Sequence, residues 1–220
     1  WARQLSPNDV LFISFILVNS HFISVEPSTC LFVIRRSNVV LADYKESMNI
    51  VNEIDLTKAQ QKAIETLRNQ SFPDHQVERS YFKQLPHMRA LQYEENQLIG
   101  YLGLDYRVIK VGDMAYKVLG VIDFCVAEQH RRQNIGSSML SEVSSFAENR
   151  DVDFIMLISD LKEFYSSRGY ININRTHSWL RLHEHTNYGV AVEHIDEFYV
   201  KPISGKRWAE GDVDWLGYMY

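Results

Sequence analysis

Two arginines, a polar turn and a glycine separate an apolar stretch from an amphipathic one in residues 128–140, EQHRRQNIGSSML. The guanidinium groups of Arg131 and Arg132 can each bind a phosphate through two parallel hydrogen bonds. Gly136 has no side chain to hold a phosphate away from the backbone. A helix that begins here would add free N–H groups and the positive end of its dipole. Together these residues predict an anion site, whereas two arginines alone are typical of a solvated loop.

The flanking sequence predicts a strand before this stretch and a helix after it. Residues 118–126, VLGVIDFCV, carry the β-branched and aromatic residues of a strand. DFIMLI at 153–158 predicts a second strand, covered on both faces, and Asp160 and Gly169 are placed to cap and to end a short helix between them. One face of the intervening helix would consist of Ile135, Met139, Leu140, Val143, Phe146 and Ala147.

The rest of the chain supplies further elements of a mixed sheet. A strand at about 49–54 precedes a helix whose start has the capping-box spacing of Thr57 and Gln60. Alternating β-branched and aromatic residues then predict an antiparallel meander that ends in a long hairpin, with its turn at residues 112–113. The segments SWLRLHEH and AVEHIDEFYVKP, together with an acidic aromatic tail, complete the sheet.

The segment VAEQHRRQNIGSSML resembles the acyl-CoA-binding motif of the GNAT acetyltransferase superfamily, which reads Arg or Gln, two residues, Gly, one residue, then Gly or Ala. Arg131 takes the first place and Gly136 the last, while Asn134 replaces the usual first glycine. Asparagine is one of the few other residues that accept a left-handed backbone. FYSSRGY at 164–170 resembles the family's FYxxxGF pattern, and the order of elements agrees over residues 48–175. The resemblance implies the GNAT acyl-CoA N-acyltransferase fold, an α/β fold with a mixed, largely antiparallel sheet flanked by helices.

The same resemblance implies that acetyl-CoA is the co-substrate and that no metal takes part. Backbone amides at 133–138 would hold the pyrophosphate of CoA. The strand at residues 125–127 would pair with the pantetheine arm in a slot where it diverges from the strand at 154–158. Because GNAT chemistry proceeds by direct attack, Cys125 is predicted to be a wall of the slot and not a nucleophile. The predicted cofactor-binding residues are Cys125, Val126, Ala127, Arg131, Arg132, Gln133, Asn134, Ile135, Gly136, Ser137 and Ser138.

Two residues are candidates for the catalytic roles. Tyr165 matches the tyrosine of the family's short helix and would donate a proton or hydrogen bond to the CoA sulfur, which an ordinary tyrosine pKa of about 10 allows at neutral pH. Its alternative role is that of a core aromatic. Asp123 is a carboxylate in an apolar strand and is the candidate base. In many GNAT proteins the acid lies one residue earlier, at Ile122 here, so Asp123 can instead face away from the substrate.

Other polar and aromatic clusters suggest an acceptor but define none. The tail WAEGDVDWLGYMY, residues 208–220, interleaves acidic and aromatic residues that suit a cationic or sugar-like ligand, or form an ordinary strand. With the long hairpin and FYSSRGY it also resembles aminoglycoside 2′-N-acetyltransferases. His183 and His185 would share one face of a strand, but with no third ligand evident we predict a polar strand face there and not a metal site.

The composition limits the partners and the location. A formal charge of −5 and a pI near 5.9 argue against non-specific nucleic-acid binding. Only Cys30 and Cys125 are present, which predicts a reducing, cytoplasmic location and no disulfide scaffold. The apolar stretch at residues 10–25 is shorter than a membrane span, so we expect no membrane partner. The sequence leaves open whether the chain forms a homodimer.

These observations divide the chain and predict its activity. Residues 48–220 are expected to form a GNAT N-acetyltransferase domain, and residues 1–47 an appendage of unassigned role, or else a strand or helix packed on the domain. The predicted reaction is acetyl-CoA-dependent acetylation of a small cationic amine, with aminoglycoside-like compounds as the first choice. The alternatives are a catalytically silent acyl-CoA-binding sensor or interaction module, and an enzyme that acetylates protein or peptide amines.

Overall fold

A computed structural model describes residues 48–220, so the expectation for residues 1–47 falls outside the described residues. A ten-stranded sheet runs through the described part. The strands are β1 (Asn49–Asn52), β2 (Met88–Glu94), β3 (Gln97–Val111), β4 (Met114–Val126), β5 (Phe154–Ile158), β6 (Ile171–Asn172), β7 (Arg175–His183), β8 (Thr186–Ile195), β9 (Phe198–Pro202) and β10 (Val213–Tyr218). The α-helices are α1 (Lys58–Ser71), α2 (Ile135–Glu148) and α3 (Lys162–Ser166).

The sheet is mixed and largely antiparallel, as predicted. Its main path runs β6, β9, β5, β4, β3, β10, β7, β8, while β2 pairs with β3 and β1 pairs with β2. The strands β2, β3 and β4 form the expected antiparallel meander with its long hairpin. The pairs β4 with β5 and β10 with β7 are parallel. Helix α2 makes the crossover from β4 to β5, which a parallel pair requires.

Helices α1 and α2 cover opposite faces of this sheet. On β3, Tyr101 packs in one cluster with Ile64 and Leu67 of α1. The next residue, Leu102, packs in another cluster with Met139 and other residues of α2. Because neighbouring residues of a strand point to opposite faces, the two helices lie on opposite sides. We call these the α1 face and the α2 face.

Local sequence signals explain how both helices begin. Thr57 caps α1: its hydroxyl accepts a hydrogen bond from the Gln60 backbone N–H, and the Gln60 side chain accepts one from the Thr57 N–H. This is the predicted capping box, which satisfies two donors that the helix leaves free. Asn134 precedes α2 with a φ of 64°, the left-handed conformation that asparagine tolerates better than most residues.

An additional residue in β4 changes its direction. Ile122 pairs with Gly103 of β3, whereas Cys125 pairs with Tyr101, so three steps along β4 oppose two along β3. Asp123 lies inside this β-bulge with a φ of 50°. A bulge of one residue reverses the alternation of side chains and bends the strand. Consequently the faces on which the last residues of β4 lie cannot be read by counting from its start.

The bend separates β4 from β5. The parallel pairing between them includes Val118, Leu119 and Gly120 of β4 and stops at the pair of Gly120 with Met156. Beyond Gly120 the second half of β4 has β3 as its one ladder partner in the described part of the chain. The predicted divergence of these strands is therefore confirmed, and it leaves a gap in the sheet next to the start of α2.

Two local predictions were wrong. Asp160 does not cap α3, because the residue at the N-cap is Leu161 and no side chain makes a capping hydrogen bond there. Glu184 and His185 form the turn between β7 and β8, with positive φ angles, and are not part of a polar strand face. Gly169, by contrast, has the predicted left-handed conformation after α3, with a φ of 82°.

The tail contributes to the core on the α1 face. Trp215 of β10 is 1% exposed, and its indole N–H donates a 3.0 Å hydrogen bond to Nδ1 of the buried His177. Trp208 stacks on Tyr116 with ring centroids 5.6 Å apart. Both indoles are thus packing residues, and they do not present their faces to a ligand.

The buried His177 makes stability depend on pH. Burial, with the charge of His194 adding to it, lowers the pKa of His177 to about 4 in the folded protein. When the pH falls below about 6.5, an unfolded chain binds a proton at this position and the folded chain does not. The folded protein therefore has its full stability, as far as His177 is concerned, above pH 6.5 and loses stability as the pH falls toward 4. The free energy of unfolding should fall by about 3 kcal/mol over that range.

Urea unfolding at pH 7, 5.5 and 4.5 measures this loss in the wild type and in His177→Gln, whose side-chain oxygen can still accept from Trp215. The variant should show a flatter pH dependence, while His183→Gln, at an exposed histidine of the same strand, should behave as the wild type. Equal slopes in all three proteins would contradict the assignment.

Candidate active site

A cavity of about 840 Å³ lies beside the second half of β4, where β4 no longer pairs with β5. Phe164 and Tyr165 line it from the α2 face, and Ser71 and Phe72 line it from the end of α1. Because residues from both faces bound one cavity, it passes through the sheet where the pairing of β4 with β5 has ended. The start of α2 forms a further wall.

The start of α2 presents free main-chain donors to this cavity. The first helical hydrogen bond runs from the Ser138 N–H to the Asn134 carbonyl at 3.0 Å. The preceding N–H groups, at residues 135–137, therefore have no acceptor within the helix. Arg132 and Asn134 both have left-handed backbones, with φ angles of 61° and 64°, and turns of this kind expose successive N–H groups to an anion.

Gly136 matters here because of its surroundings. A Cβ atom at this position would lie 3.3 Å from the Phe124 ring and 3.5 Å from the Phe164 ring. A larger side chain would therefore enter the space between the helix start and these two rings. The glycine keeps the main chain of the first turn accessible from the cavity, as the motif predicts.

Three guanidinium groups surround the opening of the cavity beside the start of α2, which we call its mouth. Arg131, Arg132 and Arg168 line the cavity, and within residues 48–220 none of them forms an ion pair with a carboxylate. The Arg168 Nε donates to the Ser137 hydroxyl at 3.1 Å, and its guanidinium lies 3.9 Å from the centre of the Phe164 ring. In a protein of net charge −5, this concentration of uncompensated positive charge favours an anionic ligand.

At the end of β4, some main-chain groups point toward β3 and others point toward the cavity. The Ala127 N–H donates to the Ile99 carbonyl of β3 at 2.8 Å. In an antiparallel ladder the preceding residue, Val126, therefore points its N–H and C=O away from β3, into the gap. The Val126 carbonyl accepts a 3.0 Å hydrogen bond from Arg131 Nε. Of residues 125–127, Val126 alone offers its main chain to a pantetheine arm.

Eight of the eleven residues predicted to bind the cofactor line the cavity. Ala127, Gln133 and Ser138 do not. Arg168 is a lining residue that the sequence analysis did not assign, although it lies within FYSSRGY. The eight are Cys125, Val126, Arg131, Arg132, Asn134, Ile135, Gly136 and Ser137.

Cys125 has the environment of a wall residue, in line with its prediction. Its side chain is 6% exposed and packs among Ile64 and Leu67 of α1. Burial raises the pKa of the thiol to about 12. Since the thiolate is the reactive form of cysteine, this thiol is a poor nucleophile at neutral pH.

Tyr165 lies at the boundary between core and cavity. It lines the cavity, is 5% exposed, and meets the rings of Phe164 and Tyr170 edge to face. Burial raises its pKa to about 12, against a smaller opposing effect of a hydrogen bond with Ser159. The hydroxyl therefore stays protonated at neutral pH and can donate a hydrogen bond. The core-aromatic interpretation is confirmed by this packing, and the role of Tyr165 as a donor to the CoA sulfur stays a prediction.

Asp123 is held by a buried arginine on the α1 face. Arg68 Nε lies 2.7 Å from Asp123 Oδ2, and the side chains are 1% and 17% exposed, respectively. Arg68 Nη1 also donates to the His75 carbonyl at 2.8 Å. Asp123 is not among the residues that line the cavity, but Phe72 is, and its ring centre lies 5.8 Å from the Arg68 guanidinium. The inner end of the cavity thus approaches this ion pair.

The acidic residues of the tail do not line the cavity. Glu210 pairs with Arg175 at 2.7 Å. The Asp212 carbonyl accepts from the Gly112 N–H at the β3–β4 turn, the opposite end of β4 from Val126. These contacts do not support the sequence interpretation of the tail as a binding surface for a polycation. Among residues 48–220 no three His, Cys, Asp or Glu side chains are grouped as metal ligands.

Comparison with known proteins identifies the family. The family described as "Acetyltransferase (GNAT) domain" matches residues 55–180, more than half of the chain. The chain therefore belongs to the GNAT acetyltransferase family. No curated protein matches it. Within residues 48–220 no helix has the length and apolar character needed to cross a bilayer.

Solved structures share the fold. YhbS, a GNAT family N-acetyltransferase from Escherichia coli in complex with CoA, is 13% identical, with a TM-score of 0.53, over 76% of this chain and 89% of that one. A GNAT family acetyltransferase from Brucella melitensis in complex with acetyl-CoA is 14% identical, with a TM-score of 0.50, over 76% and 94%. Escherichia coli ElaA is 16% identical, with a TM-score of 0.50, over 70% and 98%. These likenesses agree with the GNAT fold.

The buried thiol of Cys125 gives a direct chemical test of the site. With a pKa of about 12, fewer than about one thiol in 10³ is ionised at pH 8. Iodoacetamide should therefore leave Cys125 unmodified over an hour in the native protein and alkylate it fully in 8 M urea. Mass spectrometry of the peptide that contains Cys125 measures both. Rapid alkylation in the native protein would show an exposed, activated thiol instead.

Proposed function

We propose that this protein transfers the acetyl group of acetyl-CoA to the amine of a small acceptor by direct attack in a ternary complex. One observation carries the proposal: a single cavity joins free N–H groups and three unpaired guanidinium groups at its mouth to Tyr165 at its wall. The mouth has the chemistry to bind phosphates. The wall has a hydroxyl donor beside a gap in the sheet, where a thioester can meet an amine.

The cofactor interactions follow from the polar groups of the cavity. The N–H groups of residues 135–137 would bind the pyrophosphate, with Arg131, Arg132 and Arg168 balancing its charge. The Val126 carbonyl would accept from an amide of the pantetheine arm. In the structure Arg131 Nε donates a hydrogen bond to that carbonyl. We expect Arg131 to give up this hydrogen bond and bind a phosphate when CoA binds.

In the proposed reaction the lone pair of a neutral amine forms a bond to the thioester carbonyl carbon, and the C–S bond then breaks. The electron pair of that bond goes to sulfur, and the amine loses a proton. Tyr165 would donate a hydrogen bond to the sulfur as this charge develops. Because its pKa is about 12, well above that of an ordinary thiol, Tyr165 stabilises the thiolate better than it protonates it.

Asp123 is the proposed acceptor of the amine's proton, directly or through water. The ion pair with Arg68 fixes the position of the carboxylate, where it can attract an ammonium group. A small cationic amine is therefore the proposed acceptor. The support for it is Asp123 and the net charge of −5, and not the tail.

The activity is tested by following thiol release from acetyl-CoA in the presence of aminoglycosides, polyamines, amino acids and lysine peptides. Amine-dependent turnover on a small acceptor supports the proposal. Tight CoA binding without turnover on any amine would indicate a sensor. Turnover restricted to peptides would indicate a protein acetyltransferase.

Removal of the Tyr165 hydroxyl should slow the chemical step. Tyr165→Phe keeps the buried ring and loses the hydrogen bond, so kcat should fall about 10- to 100-fold, with CoA affinity within twofold of the wild type. Stopped-assay kinetics and calorimetry measure the two quantities. Tyr188→Phe, at a tyrosine that is 62% exposed, is the matched control and should leave both unchanged. An unaltered kcat in Tyr165→Phe would exclude the proposed role.

Loss of one guanidinium at the mouth should weaken CoA binding. For Arg132→Gln we expect a 3- to 10-fold higher Kd for CoA at low salt and a smaller difference at 0.5 M NaCl, because Arg132 is exposed and its attraction is screened. Isothermal titration calorimetry at both salt concentrations measures the change. Arg181→Gln is the control, because Arg181 pairs with Glu193 and does not line the cavity. The same loss of affinity in the control would contradict a local role.

A further inference from the structure

Two chain segments meet over Asp123 on the α1 face. The first is the connection at residues 76–87, between α1 and β2, in which the Phe82 ring lies 5.2 Å from the Arg68 guanidinium. Arg68 in turn holds Asp123 at 2.7 Å. The connection therefore lies against the arginine that orients the candidate base, on the side opposite the CoA-binding start of α2.

The second segment is the end of the tail, residues 219–220. A Cβ atom at Gly120 would overlap the Tyr220 hydroxyl, so the tail packs directly on β4, three residues before Asp123. Lys83 Nζ donates a 3.2 Å hydrogen bond to the Met219 carbonyl and ties the two segments together. Phe82, Lys83 and Tyr220 thus lie on the α1 face, the face of β4 that carries the ion pair of Arg68 and Asp123.

Lys83 differs electrostatically from the other cations at this place. Arg68 has Asp123 as its ion-pair partner, and Arg89 has Glu53. Lys83 is half-buried, and within residues 48–220 no carboxylate lies in ion-pair distance of its ammonium; its hydrogen-bond acceptor is a neutral carbonyl. Burial lowers the pKa of Lys83, and the charge of Asp123 opposes that effect. A half-buried ammonium with no carboxylate in ion-pair distance is costly, and an anionic ligand would reduce the cost.

We infer that the acceptor is an amine that also carries a carboxylate, and that Lys83 is the residue that selects for it. The inference rests on the proposed function. The ammonium group of the acceptor would be drawn to Asp123, which is 17% exposed and so within reach of solvent. Its carboxylate would bind the ammonium of Lys83 in a charge-assisted hydrogen bond. Lys83 is here a specificity-determining residue and takes no part in the transfer of the acetyl group.

This arrangement discriminates between classes of amine. A zwitterion satisfies both Asp123 and Lys83, whereas a polyamine or aminoglycoside places a second positive charge near Lys83 and is repelled. The inference thus narrows the proposed small cationic acceptor to one whose positive amine is matched by a negative group on the same molecule.

The test compares acceptors that differ only in the carboxylate. We would measure kcat/KM for ω-amino acids from glycine to 6-aminohexanoate and for the carboxamide of each. For the longer compounds the pH is chosen so that the acid and its carboxamide have the same fraction of neutral amine. The wild type should prefer the acid of the best pair by 10-fold or more. Lys83→Gln should lose that preference by lowering kcat/KM for the acid about 10-fold while changing it less than twofold for the amide. Lys83→Glu should favour a diamine of the same length.

Controls separate this inference from the proposed function. Lys117→Gln removes the same charge from an exposed site on β4 and should keep the wild-type preference, and CoA affinity should be unchanged in every variant. Equal use of acid and amide by the wild type overturns the inference alone, as does an equal loss for both in Lys83→Gln. No acetyl transfer to any amine, with CoA still bound, overturns the proposed function and this inference with it.

Discussion

The geometry of the site depends on one additional residue in β4. Two residues of β4, Asp123 and Phe124, oppose one residue of β3, and the parallel pairing of β4 with β5 ends at Gly120. A regular strand would continue the ladder and close the sheet, and no cavity would pass through it. The bulge needs a non-glycine residue with a φ of 50°, which costs about 1–2 kcal/mol. The ion pair of Asp123 with the buried Arg68 offsets that cost and fixes the bend.

The same bulge decides which chemical groups meet in the gap. It places Asp123 toward Arg68 and α1, and it turns Phe124 and Val126 toward the core of the α2 face. The Val126 carbonyl then opens into the cavity next to the free N–H groups of α2. The Asp123 carboxylate and the arginine-lined opening of the cavity thus lie on opposite sides of β4. Arginines without carboxylate partners are tolerated at the mouth because they are solvated there and do not lie in the core.

Features that depend on neighbours in sequence could be predicted, and features that depend on pairing could not. The capping box of α1, the apolar face of α2 and the left-handed Asn134 follow from local residue types, and the structure confirms all three. The bulge at Asp123 has no local signature, since no glycine marks it. The alternation of side chains along the strand therefore could not predict which face of the sheet Asp123 lies on. Arg168 was within a recognised motif but at a variable position, and its approach to Ser137 is a contact between separate elements.

The tail shows a second limit of the sequence. Interleaved acidic and aromatic residues are typical of a ligand surface and equally of an ordinary strand that packs one face on the core. The pairing of β10 with β3 and β7 decides between these, because it buries Trp215 against His177, while Glu210 pairs with Arg175 and Asp214 accepts a hydrogen bond from the Leu216 N–H. A local pattern cannot contain that information, since the partners lie tens of residues away.

A cavity that passes through a sheet has a consequence for mechanism. The start of α2 and its arginines lie on one side of β4, and Arg68, Asp123 and Lys83 lie on the other. Two substrates that enter from opposite faces meet only where the ladder is open, so neither must leave before the other binds. This topology supports the proposed ternary complex with direct transfer, whereas an acyl-enzyme would need a nucleophile beside the cavity. Within residues 48–220 the thiol that lines the cavity, Cys125, is buried and protonated, which supports the proposed attack by the acceptor amine.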